Sequence, residues 1–247
     1  MTTPRALLTA DLGVMPYGEA LELQRAVARA RIAGDIADDV LLLVEHPAVV
    51  TTGRTTKEGH MLASAELLKA RGVELFDVER GGDVTFHGPG QLVGYPIIDL
   101  KGHRKDLHWY LRQVEQGLID ALAILGVPAE RNSGYTGVWT RGQPAARSPQ
   151  HAAEAATLLR KIASIGVHAR DWVTWHGFAL NVRTDLSYFD LIVPCGIDGV
   201  VMTTIERELR EPVDDDVVKK VVGHSFAALF SLEVTPFDAR AVVAARA

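Results

Sequence analysis

Cys195 is the only cysteine among 247 residues, and it stands between Pro194 and Gly196. A lone cysteine is most often a small buried hydrophobe. Its neighbours argue for more, because a turn with glycine beside the sulfur lets a substrate carbonyl and backbone N–H groups come close. The attacking species is the thiolate, and with a reference pKa of about 8.5 only about 3% of a thiol is ionised at pH 7. A neighbouring cation is therefore required. One ammonium a few ångströms away contributes about 4 kcal/mol at an effective dielectric of about 20.

Lys161 and the histidines are the candidate cations. Lys161 opens the apolar run Ile162-Ala163-Ser164-Ile165-Gly166-Val167, where a strand side chain can point into a site; pattern alone favours a solvated lysine snorkelling from a strand end. His87 and His176, each followed by glycine, are alternative bases, although a lone histidine is more often a hydrogen-bonded structural residue. The nine histidines show no metal-ligand spacing: there is no HExxH pair, and His46, His60 and His103 are isolated. No metal is expected.

Between Arg80 and Gln91 the chain packs four glycines around two short strand signals. Such backbone can lie against a ligand or simply form a tight hairpin. It is no phosphate-binding loop, since no Gly-Lys-Ser/Thr follows, and it opens no helix as a dinucleotide fingerprint does. Trp139, Trp172 and Trp175 are candidates for an apolar acyl pocket or for ordinary core.

The elements that must position these residues read as follows. Leu21, Leu23, Ala26, Val27 and Ala30 predict a helix over Gly18 to Ile32, stopped by Gly34. Val40 to Val44 reads as a strand buried on both faces and ended by His46-Pro47. Ser64 caps a short helix through Lys69, with Gly72 as its stop. Strands are predicted over 73–78, 83–86, 91–99, 134–140 and 160–168, and over Phe178 to Val182. Asp106 precedes a helix with the stripe Leu107, Tyr110, Leu111, Val114, Leu118, Leu122 and Leu125, ending at Gly126; a last helix spans Asp214 to Phe230. Strands cluster without regular alternation with helices, so the expected class is α/β of the α+β kind, a mixed central sheet flanked by helices and not a barrel. One domain over 1–247 is expected, with 141–160, rich in Ala, Pro, Arg and Gln at its start, as an exposed insertion.

Composition narrows the function classes. With Lys+Arg 26 against Asp+Glu 31 the formal net charge is -5, so general nucleic-acid binding is not expected. A single cysteine excludes an intrachain disulfide framework and a multi-thiolate zinc site, as fits a reducing cytosol. Neither an export signal nor an apolar run approaching the roughly 18 residues of a membrane span is present. The expected location is the cytoplasm.

Taken in order, RGGDVTFHGPGQLVGYPIIDL (80–100), GVW (137–139), KIASIGVH (161–168), WVTWHGFALNV (172–182) and PCGI (194–197) resemble the octanoyltransferases of lipoate biosynthesis, the lipoyl(octanoyl) transferase family. The resemblance begins at LLLVEHPAVVTTGR (41–54) and covers most of the chain. It implies the fold of biotin and lipoate protein ligases and no cofactor. It also implies transfer of octanoyl from octanoyl-acyl carrier protein to a lysine of lipoyl domains, those of 2-oxoacid dehydrogenase E2 subunits and the glycine cleavage H protein. By the same resemblance Cys195 matches the acyl-thioester nucleophile and Lys161 the lysine that lowers its pKa. Arg80-Gly81-Gly82-Asp83-Val84-Thr85-Phe86-His87, Ser164-Ile165-Gly166 and Gly177-Phe178-Ala179 match the segments lining the substrate site. Phe86 replaces a tyrosine common in relatives, removing a hydroxyl that can bond substrate or a loop, and the connection from Arg141 to Arg160 is longer than in many of them.

The mechanism expected is attack of the Cys195 thiolate on the octanoyl thioester, without ATP, followed by attack of the acceptor lysine, whose proton a site group such as Lys161 accepts. Backbone N–H groups near Gly196 and between Gly81 and Gly90 are the candidate oxyanion donors. The alternatives are an ATP-dependent lipoate or biotin protein ligase, a cysteine thioesterase, and a catalytically silent acyl- or partner-binding module. Arg54, Lys57, Arg104 and Lys105 are candidates for docking acidic partners, or simply a solvated surface. A monomer is the default expectation.

Overall fold

The computed structural model describes residues 5–141 and 158–244. In chain order its first half contains β1 (Ala6–Val14), α1 (Tyr17–Ala33), β2 (Asp39–Glu45), β3 (Val49–Thr52), α2 (Ala65–Ala70), β4 (Glu74–Asp77), β5 (Thr85–His87), β6 (Gln91–Ile97) and α3 (Leu107–Ile124). The second half adds β7 (Val138–Thr140), β8 (Arg160–Arg170), β9 (Val173–Asn181), β10 (Val201–Met202), α4 (Ile205–Leu209), α5 (Asp215–Leu229), β11 (Glu233–Pro236) and α6 (Arg240–Ala244). Most of the expected insertion, 142–157, lies outside the described residues. Its far end is no insertion: Arg160 starts β8 and is held by Glu208 at 2.9 Å.

The strands form two sheets. Eight build a mixed sheet in the order β10-β8-β9-β6-β2-β1-β11, with β7 paired to β8, and the other three form a small sheet in the order β4-β3-β5. The expected mixed sheet flanked by helices is thus what the chain adopts. β2, apolar throughout its middle, pairs parallel to β1 and antiparallel to β6, and is buried on both faces as its composition requires. One face of the large sheet packs on α3 and α5 around Tyr110, Val114, Leu118, Leu122 and Phe226. The other packs on α1 around Ala20, Leu23 and Val27. A third apolar cluster, with Val50, Val84, Phe86 and Phe189, lies under the small sheet.

Local chemistry sets the helix limits. Asp106 accepts from the Trp109 N–H and starts α3, while Asp214 does the same for Asp216 at α5. Gly34, at φ 84°, closes α1 in the left-handed conformation. Leu107, assigned to the buried stripe, lies on the surface at 40% exposure because the turn that Asp106 caps faces solvent. Residues 134–137 are not strand; β7 begins only at Val138. β8 and β9 run further than their patterns predict, to Arg170 and from Val173, because they form one long antiparallel hairpin.

Candidate active site

The two sheets meet around a cavity of about 340 Å³ that Cys195 lines. Pro194–Gly196 is a single 3-10 turn in which Cys195 adopts φ 57° and ψ 20°, a left-handed conformation that costs a non-glycine residue on the order of 1–3 kcal/mol. The turn is held from the small sheet: the Cys195 N–H donates to Val84 O at 2.9 Å. From the large sheet Ser164 brings its Oγ within 3.5 Å of Cys195 Sγ.

Lys161 does not snorkel. It is fully buried in β8, paired to Trp139 on β7 and Met202 on β10, with Nζ 5.4 Å from the Trp139 ring centroid. Among the described residues Nζ has no hydrogen-bond partner. Gly137 makes room for it, since a Cβ there would lie 2.8 Å from Lys161 Cε and 2.8 Å from Ala163 O. Its N–H is held by the buried carboxylate of Glu115, itself bound by Arg112 and Arg131. The strand pattern conceals this lysine because its long side chain fills space left by Gly137, just before the neighbouring strand β7.

Burial pushes the Cys195 thiol up, but the positive charge of Lys161 first, then the Ser164 hydroxyl and the charge of Arg80, outweigh it and bring the thiol below its ordinary value. The histidines do not supply that charge. His87 is buried, hydrogen-bonded to Gln91 and stacked on Tyr17; burial first, then the charge of His46, lowers its pKa to about 3, so it is neutral at pH 7. His176, at φ 55° in β9, is likewise lowered, by burial.

Among the expected substrate-binding residues, Arg80, Gly82, Asp83, Thr85, His87, Ser164, Ile165, Gly166, Gly177, Phe178 and Ala179 line the cavity. Gly81, Val84 and Phe86 do not. The alternation of β5 aims Thr85 and His87 at the cavity and Phe86 into the third cluster, where it stacks on Tyr188 at 4.7 Å. Val84 sits in that cluster as well, and the Gly81 N–H ties the sheets together by donating to Val167 O at 2.8 Å. Arg80 is buried, its guanidinium donating to Thr51 O at 2.6 Å and to Thr51 Oγ1.

The tryptophans line none of it. Trp139 lies under Lys161, Trp172 is 39% exposed in a turn, and Trp175 packs in the second cluster and donates to Glu79. The Gly196 N–H is not a free oxyanion donor, since it bonds Val193 O at 2.9 Å, as Cys195 bonds Val84. Tyr17, Tyr95, Tyr135 and His60 complete the wall, from α1, β6 and two loops. Of these only Tyr95 falls inside one of the motifs, 80–100, as a tyrosine within the apolar run of β6. Lys57 also lines the cavity, whereas Arg104 and Lys105 precede α3 and do not. No group of three side chains able to hold a metal comes together among the described residues. No helix there is long and apolar enough to cross a membrane.

Residues 16–227 match the family model of the lipoyl protein ligase A/B catalytic domain. The chain is 44% identical to an octanoyltransferase of Gloeobacter violaceus over 97% of each chain, and 49% identical to one of Rubrobacter xylanophilus over 87% of this chain and 89% of the relative. Among solved structures it superposes on a lipoate-protein ligase A bound with ATP, with a TM-score of 0.71 at 17% identity, covering 98% of this chain and 94% of that one. A bipartite lipoate protein ligase of Thermoplasma acidophilum gives 0.68 at 16% identity, over 98% and 91%.

Proposed function

The chain belongs to the lipoyl protein ligase A/B catalytic-domain family and, within it, to the octanoyltransferases that transfer octanoyl in lipoate biosynthesis; from that premise we propose that it does so through an acyl thioester on Cys195. The observation that carries this reading is a lone thiol on a strained turn, in the same field as a fully buried lysine and depressed below its ordinary pKa.

In the first half-reaction the Cys195 thiolate attacks the octanoyl thioester carbonyl, and the carrier's phosphopantetheine thiol leaves and takes up a proton. One thioester is exchanged for another, so the step needs no ATP. In the second, the acceptor lysine attacks the Cys195 thioester, and amide formation makes the step downhill. Lys161 favours both halves by stabilising sulfur as an anion, first as nucleophile and then as leaving group. The cavity takes the octanoyl chain between Ile165, Phe178, Ala179 and Val93, which are among its apolar members. The donor is octanoyl-acyl carrier protein. The acceptors are lipoyl domains, those of 2-oxoacid dehydrogenase E2 subunits and the glycine cleavage H protein, and the enzyme acts as a monomer in the cytoplasm. Exposed Lys57 at the cavity is placed to meet an acidic partner, with exposed Arg54 three residues before it.

Intact-protein mass spectrometry tests this directly. Mixing the protein with octanoyl-acyl carrier protein without ATP should add one hydroxylamine-sensitive octanoyl group at Cys195, which then moves to a lipoyl-domain lysine. Modification that appears only with ATP and free octanoate would instead assign an adenylating ligase.

A further inference from the structure

The second half-reaction needs a proton acceptor that Lys161 is badly placed to be. Its Nζ is sealed from solvent, and it serves the leaving thiolate only while it stays charged. An acceptor lysine arriving on another protein needs a base that it can reach.

His60 is such a group. Its carbonyl oxygen accepts the Val193 N–H at 2.8 Å, tying it to the nucleophile turn, and its ring lines the same cavity as Cys195. Nδ1 lies 2.7 Å from Asp83 Oδ2. A carboxylate only accepts, so Nδ1 carries the hydrogen and Nε2 keeps the lone pair of a base. Asp83 is itself fixed, its Oδ1 accepting the Val84 N–H at 2.7 Å, while Val84 O holds the Cys195 N–H. The pair is pressed against the residue after the nucleophile: a Cβ on Gly196 would lie 2.5 Å from Asp83 Oδ2 and 3.1 Å from His60 Cε1. The His60 side chain keeps 20% of its surface exposed, whereas His176 in the same cavity keeps 2%.

We propose that His60, oriented by Asp83, is the general base of the aminolysis half-reaction, an assignment that rests on the covalent reading above. The acceptor's ammonium gives its first proton to His60, which passes it to solvent. The amine then adds to the thioester carbonyl, forming the C–N bond. The C–S bond breaks with its electron pair leaving on Cys195 as thiolate beside Lys161. The second proton, lost by the nitrogen of the adduct, goes to His60 and then to solvent.

Single-turnover experiments separate this role from a structural one. His60→Gln enzyme should pass octanoyl to a lipoyl domain on the order of 10²-fold more slowly, a far larger loss than in accepting it from the carrier protein. Hydroxylamine, already neutral at pH 7 and needing no base, should cleave the acyl-enzyme of H60Q at the wild-type rate. Asp83→Asn, which keeps the packing, should show the same split with a smaller loss, and it carries the test if H60Q does not fold. Wild-type transfer by both variants overturns the assignment, as does hydroxylamine cleavage falling by the same factor as transfer. A wild-type protein that never acquires octanoyl brings down the covalent reading itself, a result distinct from either.

Discussion

The two sheets that meet at the cavity contribute in opposite ways. The large sheet supplies groups fixed by burial: Lys161 and Ser164 sit on β8, one strand of a continuous ladder, and the cation has no contact with solvent. The small sheet and its loops supply groups fixed by hydrogen bonds at a partly open edge, with Val84 holding both the Cys195 turn and Asp83, and Asp83 holding His60. Burial keeps a charge strong, because water does not screen it. Exposure at the other edge lets two large substrates approach the sulfur in turn. A site that must stabilise an anion and also exchange protein partners is well served by keeping these tasks on different sheets.

Removing the nucleophile gives the largest effect on this division. Cys195→Ser should lower octanoyl transfer by about 10³-fold or more and abolish the acyl-enzyme, since an alkoxide is far harder to form than a thiolate; wild-type turnover by the variant breaks the covalent reading. Next comes the charge on the large sheet. Lys161→Ala should move the pH profile of Cys195 alkylation to higher pH and lower transfer by about 10²-fold, and an unchanged alkylation profile would remove Lys161 from the mechanism. Gly137→Ala is a graded version. Its methyl would press on Lys161 Cε and Ala163 O from a backbone at φ 138°, so urea denaturation should show a loss of about 1–3 kcal/mol, with an alkylation profile shifted in the same direction but less.

These two regions also differ in how far the sequence discloses them. β2 is legible because five branched or leucine residues in a row suit only a doubly buried strand, and α3 because Asp106 caps a regular stripe. β1 is not expected from its pattern: its buried residues Leu7, Ala10 and Leu12 break the period of two, and its pairing to β2 shifts register between Asp11 and Val14. In the small sheet, whose strands have three or four residues, turn residues bracket the expected strands 73–78 and 83–86 and so disclose β4 and β5 approximately, whereas β3 escapes the pattern altogether. At the site the glycines, Cys195 and Lys161 come through ordered motifs. His60 does not, because its partner Asp83 is 23 residues away and only the fold joins them.

The junction between the sheets sets the next test, in stability and not in rate. The chain leaves β2 for β3 through His46, which is fully buried, donates from Nδ1 to Met15 O and accepts from Tyr95 OH at Nε2. Burial lowers its pKa to about 4, against about 6.5 unfolded. A folded value below the unfolded one means that the unfolded chain binds the extra proton first, so stability present above pH 6.5 is lost as pH falls from there towards 4. At about 1.4 kcal/mol per pH unit, His46 accounts for about 2 kcal/mol between pH 6.5 and 5. Urea unfolding should show that decline. His46→Gln should flatten it; an unaltered slope would place the acid sensitivity elsewhere, at His87 or His176, which burial also lowers.

The smallest effect belongs to Phe86, where the resemblance implies a tyrosine. As a substrate contact, the missing hydroxyl would be restored by Phe86→Tyr with a lower KM. The geometry argues otherwise, because the ring faces Tyr188 and Phe189 beneath the small sheet and does not line the cavity. The ring also lies tight against Gly88, where an added Cβ would come within 3 Å of it, and the new hydroxyl must find a partner among apolar neighbours. Phe86→Tyr should therefore leave KM for both protein substrates unchanged and cost about 1 kcal/mol in urea denaturation. A fall in KM without loss of stability would mean that β5 turns its middle residue towards the substrate, and the small sheet would then touch the acyl chain as well as hold the loops that act on it.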